Sequence, residues 1–293
     1  MSTKVYLHAG AQRTGTSSFQ NCLAANRAQL ASEGFDLAYP GRDGAPDGEL
    51  RMPLPRPRHK PEEMQGFVDK IERNLRTQVT GKPKLIISEE NLPGVIVHFL
   101  KGKLYPNRKM RLRVVRDALD AINGTVARVI FVIRPYEDLF ISGFRKHAED
   151  HAVNPFAERA KRMSNFAGGW PETVQTLQNV LKPEQLIVVD YAHRGESRDL
   201  LSKLTGQAAE AYQEPARDLN TSATDAAMHH LQKLYHSGQT PEREAWQAVI
   251  RDYADQDEDL GFTRFSDAQK ARLTERFEAD QERYAAMENI SLI

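Results

Sequence analysis

A short apolar run, Lys4-Val5-Tyr6-Leu7, leads straight into His8-Ala9-Gly10-Ala11-Gln12-Arg13-Thr14-Gly15-Thr16-Ser17-Ser18, and from Ser17 to about Leu30 the pattern is helical. A strand, a glycine turn and a helix start in immediate succession turn several backbone N–H groups toward one point. That geometry suits an oxyanion such as a phosphate or a sulfate, and the hydroxyls of Thr14, Thr16, Ser17 and Ser18 add donors. The same residues also fit a plainer reading, a glycine turn whose hydroxyls cap a helix. Under both readings the chain opens as strand, turn and helix.

Gly10 and Gly15 have the spacing of a P-loop, but Thr16 stands where that motif requires lysine. A site of that type handles a nucleoside triphosphate with its lysine and a hydroxyl-held magnesium ion. Here the cation is Arg13, two residues before the second glycine. Such a loop suits one phosphate carrying a less highly charged transferable group. A magnesium-dependent nucleotide kinase or hydrolase stays open as an alternative, as does a non-catalytic nucleotide-binding protein.

Two further runs end in residues with chemistry. Arg128-Val129-Ile130-Phe131-Val132-Ile133 is β-branched and apolar enough for a buried parallel strand, and it is followed by Arg134-Pro135 and a helical stretch containing Ser142. Pro135 suits a first helical position, where no N–H is needed. Arg134 then sits at a strand's carboxyl end, where ligands bind in open α/β sheets. Its guanidinium is a natural clamp for a phosphate dianion, with Ser142 as an added donor. Between these segments, Lys84-Leu85-Ile86-Ile87-Ser88 reads as another strand and runs into Glu89-Glu90-Asn91. A carboxylate there can take a proton from an acceptor hydroxyl, or it can simply cap a helix and neutralise arginines.

The first loop resembles the 5′-phosphosulfate loop of the sulfotransferases that use 3′-phosphoadenosine-5′-phosphosulfate (PAPS), which in bacterial and carbohydrate-directed members reads close to H-x-G-x-x-K-T-G-T-T/S. Arg13 stands at the lysine position. Arg134 and Ser142, eight residues apart, match the order of that family's 3′-phosphate site. The resemblance implies transfer of a sulfuryl group from PAPS to an acceptor hydroxyl of a carbohydrate or small molecule, without a metal. By the same resemblance Gly10, Arg13, Thr14, Gly15, Thr16, Ser17 and Ser18 hold the 5′-phosphate, and Arg134 and Ser142 hold the 3′-phosphate. Arg13 then assists the leaving phosphate and Glu90 is the base, with Glu89 as substitute. Arginine is planar and forked, so it does not replace a lysine point charge in kind.

Strand-like runs at 4–8, 84–88, 128–133 and 185–189 alternate with helical patterns at 17–32, 62–79, 107–121, 136–150 and 170–182. That alternation predicts an α/β domain with a mostly parallel central sheet flanked by helices, as in the P-loop-like sulfotransferase fold. The stretch 196–293 reads as mainly helical, a layer of the same single domain spanning 1–293. Its last helix is expected from a Ser266 cap to about Met287, with Leu273, Phe277, Tyr284 and Met287 as the apolar stripe. Ser222 is read as a helix cap.

Two basic stretches read as substrate-facing. One is the irregular loop 40–61, with six prolines and Arg42, Arg51, Arg56 and Arg58; the other runs from Lys101 to Arg116 without an acidic residue. For the latter a solvated helix face is the plainer reading. His147 and His151 are four apart on a helical pattern, a metal-binding spacing with no third ligand evident, and read as surface residues. Trp170 and Trp246 read as core.

Forty basic and forty acidic residues cancel, which argues against nucleic acid or a membrane surface as partner of the whole chain. No apolar run approaches the roughly 20 residues of a membrane span. Cys22 is the only cysteine, so an internal disulfide is excluded. With a strand beginning within four residues of the start, a cytoplasmic protein is expected.

Overall fold

The computed structural model describes residues 2–41, 44–215, 222–288 and 290–293. It is an α/β fold with one six-stranded sheet, β1 (Thr3–His8), β2 (Phe35–Ala38), β3 (Lys84–Ser88), β4 (Gly124–Ile133), β5 (Gln185–Asp190) and β6 (Ile290–Leu292). Their order across the sheet is β2-β3-β1-β4-β5-β6, and all five pairings are parallel. Parallel strands need crossovers, and helices supply them on both faces. Alternate residues of the strands feed two cores. Leu7, Ile87, Val129, Phe131 and Val188 pack on one face, and Ile86, Ile130, Val132, Ile187 and Val189 on the other.

The first face is covered by α3 (Met64–Gln78), α4 (Arg108–Ala121), α5 (Tyr136–Ala148), α7 (Trp170–Leu181) and α11 (Asp267–Ala285). The second is covered by α1 (Thr16–Ala25), α2 (Arg27–Ser32) and α8 (Ser197–Thr205). Three more helices, α6 (Phe156–Met163), α9 (Asp225–His236) and α10 (Arg243–Asp252), complete the helical part. Among the described residues no helix is long and apolar enough to cross a membrane.

The expected strands and helices are present, with boundaries moved by a few residues. The helix read over 17–32 is two helices, because Asn26 donates its amide to Cys22 O and Gln213 O and accepts from Gln213 N–H. Pro135 is the cap before α5, one residue earlier than expected. Two short strands escaped the sequence. In β2, Asp36 interrupts the apolar pattern but is satisfied by Thr80 and Lys82. In β6 there are only three residues, Ile290-Ser291-Leu292. Ser266 caps α11 reciprocally with Gln269, as expected. The cap of α9 is Thr224, not Ser222, and its hydroxyl accepts from Ala227 N–H. Arg42 lies outside the described residues.

The two basic stretches are built into the fold. In the 40–61 loop, Pro40 bridges Glu49, and Leu50 and Leu54 are buried in the core. Arg108 to Ala121 is helix, and buried Arg111 donates to the carbonyls of Pro55, Asn91 and Leu92. That arginine serves to pin loops. Trp170 and Trp246 are both buried, as expected.

Candidate functional site

β1 sits at the centre of the sheet, and its crossover leads toward β3 and β2, whereas that of β4 leads toward β5. The crevice beyond β1 and β4 is therefore the point where the winding reverses, the usual ligand position in open α/β sheets. The turn after β1 stays paired with β4, through Ala9 N–H to Ile130 O, Val132 N–H to Gly10 O and Ala11 N–H to Val132 O. Four consecutive strand ends, those of β1, β3, β4 and β5, consequently open onto one cavity of about 260 Å³.

Eight expected residues line that cavity: Arg13, Gly15, Thr16, Ser17, Ser18, Glu90, Arg134 and Ser142. Arg13, Arg134, Ser142 and Ser222 also line a smaller adjoining hollow of about 150 Å³, reached from α5 and the start of α9. Gly10 and Thr14 are not on the cavity wall. Gly10, at φ 92°, lets the turn pass the backbone of Glu90, where an added Cβ would stand 3.0 Å from Glu90 O. Thr14 is fully buried and donates its hydroxyl to Ala11 O at 2.6 Å. The Thr16 hydroxyl also points at Ala11 O, at 3.4 Å. These two hydroxyls brace the turn, and Ser17 and Ser18 line the cavity beside it.

Arg13 has a left-handed backbone, φ 63°, and its Nε donates to Ser142 Oγ at 2.9 Å. One Nη of Arg134 donates to Arg13 O, also at 2.9 Å. Arg13 is thus joined to both residues of the expected 3′-phosphate cradle. Arg134 is fixed from behind, since its carbonyl accepts from the buried Trp170 indole and its guanidinium lies 4.6 Å from the Tyr191 ring centre. Its Nε is buried without a hydrogen-bond partner among the described residues.

The two glutamates part company. Glu89 is buried and accepts from both the backbone and side-chain amides of Asn91. Its charge also bears on Arg111, whose guanidinium burial pulls down to about 10. Glu90 is half-buried and faces the cavity. Of the pair, Glu90 is the one on the cavity wall.

Three residues of the cavity wall were not foreseen there: Tyr191 and Arg194, from the turn after β5, and Ser222, read as a helix cap. His8 lies fully buried beneath the turn, with Nδ1 2.9 Å from Ser88 Oγ, its ring against Phe19, and Nε2 without a hydrogen-bond partner among the described residues. Burial, helped by the Arg194 charge, pulls its imidazole down to about 3, so it is neutral near pH 7. Neither Tyr191 nor Arg194 carries a sequence signal, since no fixed spacing ties the end of β5 to the first turn. Elsewhere, the ligand atoms of His147, Asp150 and His151 all lie within 4.8 Å of one another, so Asp150 adds the third donor that spacing alone did not show. None of those three lines the cavity.

A scan against protein-family models finds no match for this chain, and a search of curated proteins finds none either. The chemistry of the site must be read from its own groups. Three guanidinium groups, the start of α1, the serines Ser17, Ser18, Ser142 and Ser222 and the carboxylate of Glu90 line one hollow, a donor-rich set of the kind that suits an anion.

Proposed function

We propose that this protein is a sulfotransferase that moves a sulfuryl group from PAPS to an acceptor hydroxyl of a carbohydrate or small molecule. The observation that carries the reading is the shared cavity, in which the first turn and the Arg134–Ser142 pair meet although 121 residues separate Arg13 from Arg134. A nucleotide with a phosphate at each end of its ribose needs two such groups on one wall.

In this reading the start of α1, with Ser17 and Ser18, receives the 5′-phosphate, and Arg134 with Ser142 receives the 3′-phosphate. Arg13, bonded to Ser142, links the two groups. The acceptor oxygen attacks sulfur as the bond from sulfur to the bridging oxygen breaks, and that electron pair stays on the 5′-phosphate. Glu90 takes the proton from the acceptor hydroxyl. Fixed donors meet the charge that builds on the departing phosphate, so little reorganisation is needed at the moment of transfer.

Transfer of labelled sulfate from PAPS to a panel of sugars and simple alcohols tests this. Glu90→Gln is expected to bind adenosine 3′,5′-bisphosphate as the unmutated protein does, while transfer falls about 10²- to 10⁴-fold, the usual share of a general base. Unchanged transfer in that variant would remove Glu90 from the chemistry, and no transfer by the unmutated protein to any acceptor would remove the activity.

A further inference from the structure

We propose that Arg194 is the arginine that neutralises the 5′-phosphate as it leaves; this inference rests on the sulfotransferase reading. The position that the first turn offers for that cation is Arg13, yet its Nε is held on Ser142, on the side of the Arg134 cradle. Arg194 arrives at the other side. It follows the short turn Tyr191–His193 after β5, and its guanidinium lies against Gly15, the residue that precedes α1. A Cβ on Gly15 would stand 2.7 Å from both Cζ and Nη2 of Arg194, so the approach depends on glycine there.

The placement sets a cation beside the start of a helix. The start of a helix carries a partial positive charge and repels a cation. No acidic residue stands in the first turn of α1 to offset it. The hydrogen bonds that hold Arg194 are long, 3.3 Å from Nη1 to Gly195 O and 3.3 Å from Nη2 to Ser197 Oγ. Its Nε is buried with no partner among the described residues. A cation and a helix start side by side, each with donors to spare, are reconciled by an anion held between them. The 5′-phosphate is the group that the reading places there. As the sulfur–oxygen bond breaks and the bridging oxygen gains charge, the Arg194 guanidinium meets that charge.

Calorimetric binding of two nucleotides separates the ends of the ligand: adenosine 3′,5′-bisphosphate, and adenosine 3′-monophosphate, which lacks the 5′ group. In Arg194→Ala the bisphosphate is expected to weaken about tenfold to a hundredfold and the 3′-monophosphate less than about threefold, the loss expected for a hydrogen bond to a charged group. Arg194→Lys restores part of that loss, and Arg134→Ala weakens both nucleotides. Unliganded unfolding midpoints confirm that each variant is folded. If the unmutated protein fails to bind the bisphosphate, the underlying reading falls. If it binds and Arg194→Ala binds both nucleotides as before, or loses both equally, the role given to Arg194 is overturned while the reading stands.

Discussion

His8 shows how much a single side chain near the site can govern. Its folded pKa of about 3 lies below the ordinary 6.5, so the unfolded chain takes up the proton first. The stability this contributes is complete above about pH 6.5 and is lost as pH falls toward 3; by about pH 5 the loss is about 2 kcal/mol. Urea unfolding of the unmutated protein and of His8→Gln at about pH 7.5 and about pH 5 reads this directly, because the variant lacks the component. The gap in stability between the two is expected to shift by about 2 kcal/mol against the unmutated protein at the lower pH, and an unchanged gap would contradict the assignment. At this scale the sequence was legible where spacing carries information. Arg13, Ser17, Ser18, Arg134 and Ser142, each at a fixed offset from a strand end, line one cavity as their spacing suggested. Thr14 does not line that cavity, since a hydroxyl on a tight turn reaches its own backbone, here Ala11 O. Arg194 was invisible because only the tertiary fold brings it to Gly15.

Among the elements, α11 and α5 are joined behind the site by a buried carboxylate. Asp280, 1% exposed, accepts from the Tyr136 hydroxyl at 2.6 Å and pairs with Arg276 and Arg283. The Tyr136 oxygen in turn accepts from Trp170 N–H, and the Trp170 indole holds the carbonyl of Arg134. Asp280→Ala leaves the buried Tyr136 O–H without its acceptor and is expected to cost about 2–4 kcal/mol, or roughly 5–10 °C in unfolding midpoint. Arg283→Ala, which removes only a half-exposed partner, is expected to cost less than about 1 kcal/mol. Equal losses in the two variants would show that the surface pair, and not the buried acceptor, does the anchoring. Long β-branched runs and reciprocal caps made β3, β4 and α11 legible from sequence. The short strands β2 and β6 were not, since an internal Asp36 and a length of three residues leave no period to detect.

For the molecule as a whole, a formal net charge of zero coexists with a hollow lined by three arginines and one glutamate, because the ends of β1, β4 and β5 each deliver one arginine to it. The alternation of strands and helices announced a parallel sheet, but the order β2-β3-β1-β4-β5-β6, which sets the hollow beside β1, follows from tertiary packing. The sulfotransferase reading stands on that hollow accepting one nucleotide by both phosphates. The most direct test is thermal unfolding of the unmutated protein with adenosine 3′,5′-bisphosphate, set beside ATP with magnesium. A hundredfold excess of the bisphosphate over its dissociation constant is predicted to stabilise the fold by about 2.7 kcal/mol, with a weaker response to ATP and magnesium at equal concentration. Stabilisation by ATP and magnesium with none by the bisphosphate would contradict it.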